Sequence, residues 1–159
     1  MLNSFLKNLR VLGLFAFVPW VQVSVPSLYD HEVIKVKFVK KSCEESAKIY
    51  SAEVAKSEPV RAHGLSERRV QLRMNESMIF IFDREDAVSF WMKRTLIPLQ
   101  LVFLNKKGKT FSSTFMPVEP NPDNPVKLYS SKLPVVAAFE FAPQALENPN
   151  GLLACVEKK

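Results

Sequence analysis

The chain has 159 residues, 47% hydrophobic and 24% charged, the size and make-up of one globular domain with a packed core. Twelve Phe against four Gly favour packed strands and argue against glycine-rich phosphate loops or flexible linkers. The net charge of +6 is spread over pairs such as Lys40-Lys41, Arg68-Arg69, Lys106-Lys107 and Lys158-Lys159. They lack the interleaved aromatics or helical stripe of a nucleic-acid binder, so nucleic acid is excluded as a partner.

At the N-terminus Lys7 and Arg10 precede Val11 to Val21, a stretch without charge or amide, and small residues follow around Ser24 to Ser27. This reads as a signal peptide over residues 1–27. As a helix the apolar run would rise roughly 16 Å, about half of the ~30 Å hydrocarbon core of a bilayer. Cleavage after Ser27 would send the domain to the periplasm or the cell exterior as a secreted protein. Retention would leave an N-terminal membrane anchor, the one route to membrane contact, and a buried N-terminal helix is the remaining reading. Residues 1–27 hold two basic residues and no acid, so their removal lowers the net charge from +6 to +4.

From Val33 the chain alternates, with Ile34, Val36 and Phe38 on one face and Lys35 and Lys37 on the other, which predicts a half-buried strand. Ser42 and Glu45 have capping-box spacing, but Ile49 to Ala55 alternates again, so the prediction is a hairpin with a polar turn at Lys41 to Ser46 that carries Cys43. Ser57-Glu58-Pro59 starts a short helix that Gly64 ends. Met78 to Phe82 is a strand buried on both faces. Val88, Phe90 and Met92 alternate with Ser89, Trp91 and Lys93 along a further strand that places Trp91 and Lys93 on one face. Pro98 forces a bend, Leu101 to Leu104 resumes as strand, and Asn105 to Gly108 turns it onto Thr110 to Phe115. Four prolines between Pro117 and Pro125 exclude regular structure and predict an extended surface loop, a candidate lid. Val126 to Tyr129, Leu133 to Phe141 and Gly151 to Val156 complete the strands, with Glu140 expected to face solvent between Phe139 and Phe141.

Four segments carry a resemblance: Arg61-Ala62-His63-Gly64-Leu65-Ser66-Glu67-Arg68, Met78 to Phe82, Phe90 to Leu99, and Tyr129-Ser130-Ser131. Together they resemble the domain of unknown function 192 family, an uncharacterised protein family, over residues 33–156. Arg61, Gly64, Leu65 and Arg68 match its Arg-x-x-Gly-Leu hallmark, and Glu140 matches an acidic position in its late strand. The chain departs from the family pattern at Ser77, where the family has Gly, in the ending Ala142-Pro143-Gln144, which lacks the Gly the family places there, at Arg94 for Asn, and at Gln100 for Asp. An acid or base role for that Asp therefore does not carry over. The resemblance implies a jelly-roll-like β fold, which agrees with the strand pattern: an all-β sandwich or barrel with one short helix, preceded by the signal peptide.

No catalytic residues are assigned. His31, His63, Cys43 and Cys155 are too scattered for a metal site, and neither a nucleophile elbow nor a phosphate loop is present, so no metal or cofactor is expected. Cys43 and Cys155 are a candidate disulfide if the chain enters an oxidising compartment. Arg61, Arg68, Lys93 and Thr95, with Trp91 as an apolar wall, are candidate ligand-binding residues for a small anionic molecule or acidic glycan. Two alternatives stand beside this reading. One is an envelope structural or assembly protein in which the same residues knit the core and the partner is an envelope component. The other, ranked behind both, is a hydrolase of unrecognised type.

Overall fold

Branched and aromatic residues at alternate positions give this chain strands, and the structure, a computed structural model, describes residues 20–22 and 28–157. The predicted signal lies outside these except for Trp20–Gln22, which form strand β1. The remaining elements are β2 Val33–Val39, β3 Ile49–Ala55, helix α1 Glu58–His63, β4 Glu76–Asp86, β5 Ser89–Phe90, β6 Leu99–Leu104, β7 Thr110–Met116, β8 Tyr129–Ser130, β9 Val135–Phe141 and β10 Leu153–Glu157. The expected all-β domain with one short helix is what the described residues form.

Eight strands make one sheet in the order β1-β10-β2-β3-β4-β9-β6-β7, and β5 and β8 pair as a separate ribbon. Among the described strands only β3 and β4 run parallel. A parallel pair needs a long crossover, and residues 56–75, with α1, supply it. The sheet curls into a half-barrel because its far strands meet at one corner. There the Thr110 N–H donates to the Leu152 carbonyl at 2.8 Å and the Ala154 N–H to the Gly108 carbonyl at 2.9 Å.

Two layers cover the sheet's centre. On the inner face Phe38 lies edge-on to Tyr50, Phe139 and Phe141, with ring centroids 5.2–5.7 Å apart. On the outer face Phe80 meets Phe90 at 4.9 Å, and Phe90 meets Phe103 at 5.9 Å. The outer layer is built from α1, the loops around it and β5, so β4, β9 and β6 are buried on both faces.

Three expectations are corrected here. The strand foreseen over residues 88–93 shrinks to Ser89–Phe90, because residues 93–94 turn, with Arg94 at φ 53°. The strand foreseen at 126–129 is confined to Tyr129–Ser130. Lys37 does not face water: it is buried, and its ammonium donates to the Glu45 carbonyl at 2.8 Å, under the 40–48 turn. That turn is closed by the Glu45 carboxylate, which accepts the Lys41 and Ser42 N–H groups at 2.7 Å each. It carries Cys43 to Cys155 on β10, and the two are joined in a disulfide with Cα atoms 5.7 Å apart.

Candidate functional site

The local structure around α1 is set by its two ends. The Asp30 carboxylate accepts the N–H groups of Lys56 at 2.6 Å and Ser57 at 2.9 Å, fixing the helix entrance. Those hydrogen bonds, with one from the Ser57 hydroxyl as the largest contribution, hold the Asp30 carboxyl down at about 2. At the other end Gly64 takes φ 51° against the Phe80 ring. A side chain would meet both a strained backbone and that ring, the physical content of the glycine in the hallmark. Leu65 then plugs into the core.

Between α1, the outer faces of β4 and β9, and the segment 88–95 lies a cavity of about 260 Å³. Phe80, Phe82 and Phe90 line its interior, Glu140 reaches it from β9, and Arg61, Trp91 and Lys93 also border it. Its volume is just below the ~300–1,000 Å³ of pockets for drug-sized ligands, so an occupant would be of single-ring size.

The five candidate binding residues divide. Arg61, Trp91, Lys93 and Thr95 are brought to this cavity, and Arg68 is not. Arg68 faces a second hollow with His31 and Met78, and its guanidinium bonds the Val70 carbonyl at 3.0 Å and lies 3.8 Å from the Glu76 carboxylate. Arg61 borders the cavity, but its guanidinium is held by the carbonyls of Lys56 and of Ile81, the latter at 3.0 Å, and rests on the Phe82 ring at 5.4 Å. Thr95 is buried and its hydroxyl donates to the Lys93 carbonyl at 3.4 Å, which the Ser66 hydroxyl also bonds, at 2.9 Å. It shapes the turn that presents Lys93. Lys93 itself is exposed and has no acidic partner among the described residues. Its ammonium lies 5.3 Å from the centroid of the half-exposed Trp91 ring, a cation on an aromatic face.

The proline-rich loop does not line this cavity. Arg94 ties it down beside the site, donating its N–H to the Pro122 carbonyl at 2.7 Å while its guanidinium meets Glu67 at 2.6 Å and Asp123 at 3.5 Å. Gln100, where the family has an acid, faces the inner side of the sheet and clasps the backbone of Leu146 through both ends of its amide, at 3.0 and 3.2 Å.

Glu140 is the residue that sequence reasoning misplaced. It is 4% exposed rather than solvent-facing, and burial pushes its carboxyl up to about 8, so the side chain is largely protonated at neutral pH. It accepts or donates no hydrogen bond and makes no ion pair among the described residues. Its register neighbours, Met78 on β4 and Leu101 on β6, are apolar. An acid in a strand with Phe on either side looks solvent-facing by alternation. The overlooked signal is that β9 sits at the sheet's centre, where the outer layer covers the face that alternation assigns to water.

The domain of unknown function 192 model, described as an uncharacterized ACR, matches residues 39–156. No curated protein matches the chain. Among solved structures, a Sinorhizobium meliloti protein proposed to be a transcription regulator is 22% identical, covering 80% of this chain and 95% of its own, with a TM-score of 0.67. A Novosphingobium aromaticivorans protein of unknown function is 21% identical, covering 85% of this chain and 91% of its own, with a TM-score of 0.64. At these identities the two share the fold.

Proposed function

The chain belongs to the uncharacterised domain of unknown function 192 family, and from that premise we propose that it is an exported binding module whose outer-face cavity takes a small anionic molecule. The ligand's charge lies toward Lys93 and its body against Trp91. The observation that carries this reading is Lys93: an exposed ammonium beside an aromatic wall at a ring-sized cavity, without an acid to neutralise it among the described residues. Export is supported by the signal-like composition of residues 1–27 and by the Cys43–Cys155 disulfide, a bond that persists in oxidising compartments. If residues 1–27 are retained, they tether the module to the membrane.

The envelope-structural alternative draws on Arg61 and Arg68, whose guanidinium groups are committed to backbone carbonyls and, for Arg68, a carboxylate. Those two arginines knit the fold under either reading, so Lys93 is the residue that discriminates. The chain has two tryptophans, and a full-length Trp20→Phe variant leaves Trp91 as the sole reporter. Titrating it with galacturonate and with inorganic phosphate should give a saturable change in Trp91 fluorescence for at least the ring acid. Lys93→Ala should abolish that change at a stability cost below about 1 kcal/mol, since a solvated cation leaves no buried charge behind. Fluorescence indifferent to both anions, with Lys93→Ala strongly destabilised, would favour the structural protein.

A further inference from the structure

The cavity holds one buried carboxyl that neither the fold nor the anion reading uses. Glu140 is nine-tenths buried and lines the cavity, with no partner among the described residues. The one sealed side-chain polar atom without a partner among those residues is the Tyr129 hydroxyl, so the Glu140 carboxyl is unpartnered without being sealed, and it opens into the cavity. A buried polar group in a native fold is ordinarily paired, and leaving it bare is costly. The groups that border the same cavity and carry charge or titrate are Glu58, Arg61 and His63 from α1 and Lys93 from the segment after β5, and none of them is paired with it. The neighbouring strands offer only Met78 and Leu101.

We infer that Glu140 is a ligand-contacting residue that reads hydroxyl groups, so that the anion this cavity takes is a hydroxylated ring acid of the uronic-acid type rather than a bare carboxylate or inorganic phosphate. This rests on the anion reading above and deepens it. A hydroxyl both donates and accepts, so it complements the carboxyl in either protonation state. The apolar C–H face of a sugar ring matches the aromatic walls that Phe80, Phe90 and Trp91 provide, and its acid group is left for Lys93. The cavity thus has one recognition element for each part of such a molecule, and its single-ring volume accommodates a monosaccharide.

The test is calorimetry on the full chain with three probes: galacturonate, cyclohexanecarboxylate, which keeps the ring and acid and lacks hydroxyls, and galactose, which keeps the hydroxyls and lacks the acid. Galacturonate should bind roughly 5- to 100-fold more tightly than cyclohexanecarboxylate, the range expected when a buried polar group is left unmatched. Glu140→Leu should erase that preference and bind both acids alike, while Glu140→Gln, which keeps a hydrogen-bonding head, should retain most of it. Equal affinity of the wild-type protein for the two acids would overturn the inference and leave the anion site standing. Galactose binding as tightly as galacturonate, or none of the three binding, would overturn the anion reading itself and the inference with it.

Discussion

Glu140 makes a signed prediction for stability. Its carboxyl has an ordinary value of 4.5 and sits at about 8 in the fold, so the folded state holds a proton that the unfolded chain has already released over that interval. Stability that is complete below about pH 4.5 is therefore lost as pH rises to about 8, by a total on the order of 5 kcal/mol. Glu140→Gln carries no proton to lose. Urea melts should show this variant gaining on the wild type between about pH 5 and about pH 8 and matching it near the acid end, and parallel curves would contradict the burial of the carboxyl. Asp30 acts in the opposite sense: its contribution is present above 3.8 and is lost as pH falls toward about 2. Left-handed backbone falls at two places where the chain departs from the family pattern: within the ending Ala142-Pro143-Gln144, which lacks the family's Gly, Gln144 takes φ 63°, and Arg94, at the family's Asn position, takes φ 53°. Gly and Asn are the residues that tolerate this region best. Gln144→Gly should accordingly raise stability, by up to about 1 kcal/mol, because the strain it relieves outweighs the added freedom of the unfolded chain. A drop in thermal midpoint would show that the Gln144 side chain contributes more than its backbone costs.

At the scale of elements, the disulfide joins the 40–48 turn to β10 across 112 residues of sequence. Cross-linking so long a loop restricts the unfolded chain by roughly 4 to 5 kcal/mol on the chain-entropy view. A Cys43→Ala/Cys155→Ala variant should lose stability of that order in denaturant melts, and an unchanged midpoint would mean the turn and β10 are held by their other contacts. The strands were legible where one physical cause governed the pattern. Val33 to Val39 and Thr110 to Met116 alternate or end at turn residues, and Gly64 stops a helix that Pro59 starts, so the sequence alone marks these elements nearly to the residue. The strand foreseen through Lys93 failed because the turn at Arg94 is imposed by its contacts with Glu67 and Pro122, far away in sequence. The candidate site was legible in part for the same reason. Trp91 and Lys93 share an exposed face and were found together, whereas Arg68 was drawn off by Glu76 and Glu140 was hidden by a covering layer that no local pattern announces.

At the scale of the whole molecule, a sheet buried on both faces at its centre places a cavity outside the barrel's inner core, between the sheet and the α1 layer. The site can therefore change its lining without disturbing the Phe38, Tyr50, Phe139 and Phe141 cluster on the opposite face. Among the described residues no helix is long and apolar enough to cross a membrane. A cut after Ser27 would remove β1 and leave residues 28–159, with the remaining described strands and the cavity lining. The most direct measurement of the central claim is a crystal structure of the protein grown with galacturonate. The account predicts the sugar ring against Trp91 inside the outer-face cavity, its carboxylate toward Lys93 and a hydroxyl within hydrogen-bond distance of Glu140. A cavity that stays empty of sugar at saturating concentration, with Glu140 paired to a protein group instead, would contradict it.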